Sequence, residues 1–458
     1  MKDTDQRKAL KQEIIDIIDS ASPKSLQDYL TSYHPSDLAD VFHALNEEQR
    51  LFVLHALNFH VLAELFAYAH ESEAAHHLKA MPAQKAANIL EAMPADDAAR
   101  VLRKIKGESR TGLLQAMHAQ VRDRLSHLIR YSPGTAGALM TTDFISVAPD
   151  TDVKDAMKAV VANAATIEAF QRVFVIEKNG FLVGAVDLKT LIRARAPKRI
   201  AEIMHHDVIS AGIHDSAESV ARRMHNYGVA AMPVVNDKNQ IQGVITVDDA
   251  ADILDDATDE DVAKLAGVSS HVMLRESPAK TIVHRLPWLF AMAVVGLVLA
   301  FVLAAFNATI ERVVIMVAFI PLILDMAGNS GTQTAALTVR GIGRNEFLFT
   351  KATRRHILKE LGIGTINAVV IGVVTFGLAF GVTQAFAADS DGRVVLSLAV
   401  AIAVVLALVF SAVTGTALPL TLKKLGADPA FAGGPLMTAL NDLFALAVYV
   451  TLVGVLIR

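Results

Sequence analysis

The stretch LILDMAGNSGTQTAAL, residues 322–337, sits inside an apolar run long enough to cross a bilayer. Yet it carries an acid (Asp325), two amides (Asn329, Gln333), hydroxyls at Ser330, Thr332 and Thr334, and two glycines (Gly328, Gly331). A charged side chain at mid-membrane costs about 2.5–3.5 kcal/mol even on the lenient insertion scale, so it faces a cavity or a partner. No Lys, Arg or His lies in the same span to pair with Asp325, and the same holds for Asp442 near the end of the chain. A hydrated path with a passing cation supplies the missing partner. The alternative for each is a protonated carboxyl hydrogen-bonded between helices. For Asn329 and Gln333 it is helix-to-helix glue, and for the glycines it is close packing.

Working outward, the run is one of five apolar spans, at 288–310, 313–339, 361–388, 394–422 and 430–457. The second is expected to be interrupted by its polar stretch, with Pro321 and Pro435 breaking helices beside the polar positions. Arg340, Arg344, Lys351, Arg354, Arg355 and Lys359 follow the second span, and Lys423 and Lys424 the fourth; the opposite connections hold only Arg312 and Arg393. The positive-inside bias puts the first group in the cytoplasm with everything before the first span, leaving the C-terminus outside. The first twenty residues have no apolar core and are expected to be no signal peptide, which makes this a multi-pass protein of the inner (plasma) membrane.

The 458-residue chain is 53% hydrophobic, but charge is concentrated before about residue 285. With no cysteine, thiol catalysis, disulfides and Cys-ligated metals are excluded, and a net charge of −4 gives no reason to expect a nucleic-acid partner. After an N-terminal extension (1–24), residues 25–133 read as short stacked helices, since MPAQKAANIL at Met81 recurs twelve residues later as MPADDAARVL. Pro after Met suits a first helical turn. A second repeat covers 137–200 and 201–254, each half reading strand, helix, strand, turn, strand, helix, with turns at Asn179-Gly180 and Lys238-Asn239. Neither half has the apolar mass for its own core, so the two are expected to pack together.

Residues 249–275 read as an acidic connecting helix. Residues 248–261 hold eight acids and no base, and Asp252, Asp255, Asp256 and Asp259 share one helix face. Like charges at this spacing cost a helix about 0.2–0.5 kcal/mol per pair.

The tandem unit resembles a pair of CBS domains, which commonly sense adenine nucleotides or ions. The polar second span (Pro321, Gly328-Asn329, Gly331, Gln333), with DPAFAGGPLMTALNDLFALAVYV from Asp428, resembles the MgtE family of magnesium channels and transporters along nearly the whole chain. That likeness implies a multidomain fold: a superhelical α-helical N domain, an α+β CBS pair, a plug helix, and an all-α membrane domain of five helices (286–458). It implies a homodimer in membrane lipid, moving Mg²⁺ inward and closed by cytosolic Mg²⁺. The regulatory ions would sit between the plug (Asp249, Asp252, Asp255, Asp256, Asp259, Glu260), the N domain (Asp96, Asp97) and Asp428; ATP at the CBS pair is a further expectation. Three positions depart from the family pattern: Asp325 and Gly433-Gly434 in the membrane half, and Arg100, where an acid is usual.

Mg²⁺ prefers octahedral oxygen ligands and sheds water reluctantly. Asp442 suits the carboxylate, with Asn329, Thr332 and Gln333 touching bound water. Gly328, Gly331, Gly434 and Pro435 are expected to shape the backbone along the same path as Asp325. No His or Cys lies deep in a span, which disfavours Zn²⁺, Ni²⁺ and copper, while Mn²⁺ and Co²⁺ stay open. No phosphate-binding GxxxxGK[ST] motif is present, so an ATP-driven pump is not expected. A catalytic pair of aspartates is the rival reading, as in an intramembrane protease, but Asp325 lies between Leu324 and Met326 without the Gly-x-Gly-Asp turn such enzymes carry, and no enzymatic activity is expected. A membrane-tethered nucleotide sensor would not need five spans with polar interiors.

Overall fold

The computed structural model describes residues 2–20, 22–164, 167–195, 197–268, 278–344, 346–347, 350–386 and 390–457. They fall into two compact units, Met1–Asp255 and Asp256–Arg458.

In the first unit, six ten-residue helices begin at twelve-residue intervals, from Pro35–Ala44 through Glu47–Ala56, Phe59–Tyr68, Glu71–Ala80 and Ala83–Ala92 to Ala95–Lys104. The helices Glu108–Ala116 and Ala119–Ile129 follow. Two residues separate successive helices of the regular series, and the helices pack mainly on their second neighbours. Polar residues close the exposed helix starts, as where Asn46 and Gln49 form a reciprocal cap. Pro82 and Pro94 stand at the N-cap, one residue earlier than the sequence pattern suggests. The N-terminal extension is itself a helix, Lys2–Ser20, and buries Ile14 and Ile18 in the core shared by the helical array.

The tandem repeat forms two three-stranded sheets. β1 (Ser146–Val147), β2 (Arg172–Ile176) and β3 (Leu182–Asp187) make one, and β4 (Ala211–Gly212), β5 (Ala231–Val235) and β6 (Ile241–Thr246) the other. In both, the first strand runs parallel to the second and the second antiparallel to the third. A helix must bridge each parallel pair, and Val153–Asn163 and Ala217–Tyr227 do so. The turns between the antiparallel strands place Gly180 (φ +76°) and Asn239 (φ +55°) in the left-handed region, which Gly and Asn tolerate best. The halves share a core in which Phe174, Leu182 and Ala185 of one meet Ala231, Val235 and Val244 of the other.

The acidic helix runs from Val247 to Leu265, ten residues short of the expected 275, beyond which 269–275 lie outside the described residues. Five helices of the second unit are long and apolar enough to cross a membrane. The first is Pro278–Ala305, followed by a separate short helix, Asn307–Arg312, rather than by one span to 310. The second, third, fourth and fifth spanning helices are Ile320–Gly343, Thr350–Phe386, Ser390–Lys424 and Gly434–Leu456. The third begins well before the expected 361, so Lys351, Arg354, Arg355 and Lys359 ride on the helix and not in a loop. It also carries a buried Glu360, with His356 hydrogen-bonded to Thr338 of the second helix (3.1 Å). The fourth helix is the hub: its Ala, Val and Leu side chains contact the second, third and fifth, and small residues let backbones approach, Gly364 against Ala412 and Gly415 against Thr334.

Candidate functional site

The polar stretch is one unbroken helix; the expected interruption is absent. Two hydroxyls bond back into the helix, Thr332 donating to the Gly328 carbonyl and Thr338 to that of Thr334 (both 2.9 Å). Gly328 and Gly331 therefore lie in regular helical backbone, where their missing side chains make room for the fifth helix. A Cβ at Gly328 would lie 3.3 Å from Thr438 and 3.7 Å from Asp442 Oδ1, and one at Gly331 would run into the Asn441 amide. Pro321 and Pro435 start helices instead of breaking them, since the first turn needs no N–H from either.

That close approach builds a polar knot. Asn441, fully buried, donates to the Ala327 carbonyl (3.4 Å) and accepts from Thr414 (2.9 Å), while Ser411 donates to the same carbonyl (2.8 Å). Three helices are thus tied around one carbonyl oxygen, and the next residue, Asp442, is set beside Gly328. Its Oδ1 is buried with no hydrogen-bond partner. Asp325, Asn329 and Gln333, spaced by four, line an exposed face of the second helix, with Asn329 donating to Asp325 Oδ1 (3.0 Å). Asp325 is close enough to Asp442 for their charges to act on each other. The structure therefore gathers Asp325, Asn329, Gly328 and Asp442, leaves Gln333 one turn further along the exposed face, and ties Thr332 back to its own helix.

Gly434 and Pro435, expected to shape the ion path, meet the end of the acidic helix. Gly434 (φ +48°) and Gly433 abut Leu265, and Pro435 abuts Gly267, so the end of the acidic helix docks onto the start of the fifth span. Beside this contact Lys264 ion-pairs with Asp428 and with Glu260 (2.6 Å), over the Phe431 ring. Burial pulls the Lys264 ammonium pKa down, but hydrogen bonds to both carboxylates outweigh it, so the pKa lies above the usual lysine value. The other Asp428 oxygen caps the turn Pro429–Ala432 (2.9 Å to Ala430 N). Asp428, expected to share a regulatory ion, is thus held in this structure by an ammonium.

Among the described residues, no group of three or more His, Asp or Glu side chains is placed to hold a metal ion. Asp97 pairs with Arg100, Asp96 is buried on the same helix, and Asp249 accepts from Thr246 (2.6 Å). Asp252, Asp255, Asp256, Asp259 and Glu260 are exposed, because their face of the helix carries no apolar residue to bury. Burial, reinforced by the charge of Asp96, pushes the Asp249 carboxyl up to about 7 from an ordinary 3.8; Arg100 and the Thr246 hydroxyl oppose this, and Asp248 adds to it.

A carboxyl raised in the folded state binds a proton that the unfolded chain has released, so its contribution is fully present below 3.8 and lost as pH rises through about 7. Hydrogen exchange in the 247–255 segment should accordingly be slower at pH 5.5 than at pH 8, after correction for intrinsic rates. Asp249→Asn should flatten that difference; a difference that survives the substitution assigns it to another group.

The residues that sequence reading passed over are Lys264, Thr438, Asn441, Ser411 and Thr414. Lys264 had a signal, being the first base after eight acids and four residues from Glu260. Thr438 had one too, four residues before Asp442. Ser411 and Thr414 look like any hydroxyls in an apolar helix.

A multi-pass membrane half with buried carboxylates, joined to a helical array and a paired three-stranded repeat, defines the class as a membrane transporter. Residues 33–134 match the MgtE intracellular N domain, 136–197 and 200–256 match CBS domains, and 320–452 match MgtE, described as a divalent cation transporter. The chain is 32% identical over 334 residues to the magnesium transporter MgtE of Enterococcus faecalis, covering 73% of this chain and 72% of that one. It is 29% identical over 348 residues to that of Thermus thermophilus, covering 76% and 75%. A crystal structure of the cytosolic domain of the Mg²⁺ channel MgtE in complex with ATP superposes with a TM-score of 0.51 at 29% identity, over 53% of this chain and all of that one. The chain belongs to the MgtE family of divalent cation transporters.

Proposed function

We propose that this protein carries Mg²⁺ passively into the cell through a path walled by Asp325, Asn329 and Gln333 of the second span and Asp442 of the fifth. The observation that carries the reading is Asp442 Oδ1, a buried carboxylate oxygen with no hydrogen-bond partner, beside a second acid in an apolar helix bundle. Two acids without a cation are costly in that setting, and a hydrated divalent ion compensates both. The relatives' names support Mg²⁺ as the cargo; Mn²⁺ and Co²⁺ are the alternatives within the same ligand chemistry. The polar face of the second helix is open, and a second copy covering it would enclose the path, which supports a homodimer. The basic residues at 340–359 and 423–424 support an N-terminus in the cytoplasm, a C-terminus outside and the plasma (inner) membrane as the location. The membrane potential, worth about 2.3 kcal/mol per charge per 100 mV, drives entry. The likeness to a domain solved with ATP supports ATP as a ligand of the CBS pair.

Closure by cytosolic Mg²⁺ belongs to the same proposal. The exposed acids Asp255, Asp256 and Asp259 repel one another until a divalent ion neutralises them, and the acidic helix then settles against the membrane half as a plug. The test is flux into proteoliposomes with Mg²⁺, Mn²⁺ and Co²⁺ in competition, at low and at millimolar Mg²⁺ on the cytosolic side. Mg²⁺ flux that falls at high cytosolic Mg²⁺ is expected. Asn at 255, 256 and 259 should abolish that fall and leave ion preference unchanged. No flux of any of the three ions overturns the transport reading; a triple variant that still shuts overturns only the sensor.

A further inference from the structure

We propose that the basic ends of the second, third and fourth spanning helices form a binding face for the phosphodiester headgroups of anionic phospholipids. The proposal rests on the orientation given above, which sets these ends in the cytosolic leaflet, and not on the identity of the transported ion.

The third helix opens with the sequence KATRRHILKEL, starting at Lys351. Lys351, Arg354, Arg355, Leu358 and Lys359 recur at the spacing of one helix face, and all five are exposed. The opposite face is the packed one. There Glu360 is buried, and His356 bonds to Thr338 of the second helix (3.1 Å) beside the Phe347 ring. That bond brings the end of the second helix, with exposed Arg340 and Arg344, to the same end of the bundle. The fourth helix joins them. It packs antiparallel to the third, with Ala412 at Gly364 and Val405 at Gly372. The same register carried onward sets exposed Lys423 and Lys424 level with the start of the third helix.

The chain supplies no counter-charge for this face. Among the described residues, none of these bases has a carboxylate within ion-pair distance. The acidic helix is no exception, since its end is held elsewhere by Lys264 on Asp428. The apolar run that begins at Leu361 fixes the level at which an anion must lie, at the edge of the hydrocarbon. Trp288, the chain's one tryptophan, stacks on Phe431 (6.4 Å between centroids) shortly after Lys424, as aromatic rings at headgroup level do. Lys and Arg stems lie along apolar surface while their heads reach phosphate, and a guanidinium grips a phosphodiester through two N–H groups. Leu358, exposed within the basic face, is left for acyl chains. The face is open and spread over three helices, which suits a row of headgroups and not one enclosed phosphate.

The test is native mass spectrometry of the full-length protein in micelles, titrated with dioleoyl phosphatidylglycerol or dioleoyl phosphatidylcholine. Phosphatidylglycerol should be retained on the order of tenfold more tightly, because each base near an anionic headgroup adds to the attraction. Gln at 351, 354, 355 and 359 should bring it down to the level of phosphatidylcholine, whose own binding should not change. Exchanging Lys and Arg at the same four positions should keep the preference. Added salt should narrow it in the unaltered protein, where no substitution can disturb the fold. Equal affinity for the two lipids in the unaltered protein overturns the proposal, as does a preference indifferent to salt. A Gln variant that keeps the preference, or a Lys–Arg exchange that loses it, overturns it too. Displacement of the lipid by millimolar inorganic phosphate would make this a site for a soluble anion and overturns the lipid assignment. Binding is read without flux, so failure here leaves the transport reading standing, and failed transport leaves this result interpretable.

Discussion

Asp442→Asn is expected to cut Mg²⁺ uptake in proteoliposomes by on the order of a hundredfold, with folding intact. At an effective dielectric of about 20, unit charges 4 Å apart interact by about 4 kcal/mol, and a dication doubles that, while each 1.4 kcal/mol is a factor of ten. Even an ion kept further away by its water therefore loses much of its hold when the carboxylate becomes an amide. The amide keeps the shape beside Gly328, and because Oδ1 has no protein partner, no hydrogen bond of that oxygen is lost with the charge. Thermal stability should stay level or rise. Parental flux in this variant would place the ion path elsewhere; reduced flux with reduced stability would show the carboxylate to be structural.

The second large effect is expected from Lys264→Met. Lys264 is 14% exposed and lies between Asp428 and Glu260, so removing its charge leaves two carboxylates facing each other. Breaking a buried pair by deleting one partner costs about 3–5 kcal/mol, and the exposure of Glu260 and the partial exposure of Asp428 reduce this. The end of the acidic helix should then detach from Gly433, Gly434 and Pro435. The cytosolic Mg²⁺ concentration that halves uptake should rise more than tenfold, since 1.4 kcal/mol of lost docking already suffices for that factor. Lys264→Arg should restore closure. Asp428→Asn, which keeps an oxygen for the cap on Ala430, should resemble Lys264→Met in a milder form. Unchanged inhibition in Lys264→Met would mean that the helix end is held by packing at the glycines alone.

Much of this architecture was legible because it depends on local periodicity. The twelve-residue Met-Pro repeat, the paired strand patterns with Asn-Gly and Lys-Asn turns, and the five apolar runs each follow from hydrophobic spacing and backbone preference, which need no distant partner. Family membership followed from the same runs and from the polar stretch at 322–337. The candidate ion residues Asp325, Asn329 and Asp442 were also legible, since a polar group in a long apolar run needs a reason wherever it points.

What pattern could not decide is the partner of each charge. The acids at 96, 97, 249, 252 and 428 looked equivalent, as they do when only sign and spacing are visible. Packing separates them: Asp97 pairs with Arg100 and Asp428 with Lys264, while Asp252 stays exposed with Asp255, Asp256 and Asp259. The glycines show the same limit. Sequence marked Gly328 and Gly331 as special, but the choice between exposed carbonyls and close helix contact belonged to Asn441 and Thr438, more than a hundred residues away, whose side chains fill the space a Cβ would take. Sequence by itself determined which segments are helix, strand or membrane span, because those depend on residues a few places apart. Tertiary structure alone decided which charges are paired and which oxygen is left without a partner, because electrostatic and packing energies depend on distances that only the folded chain sets.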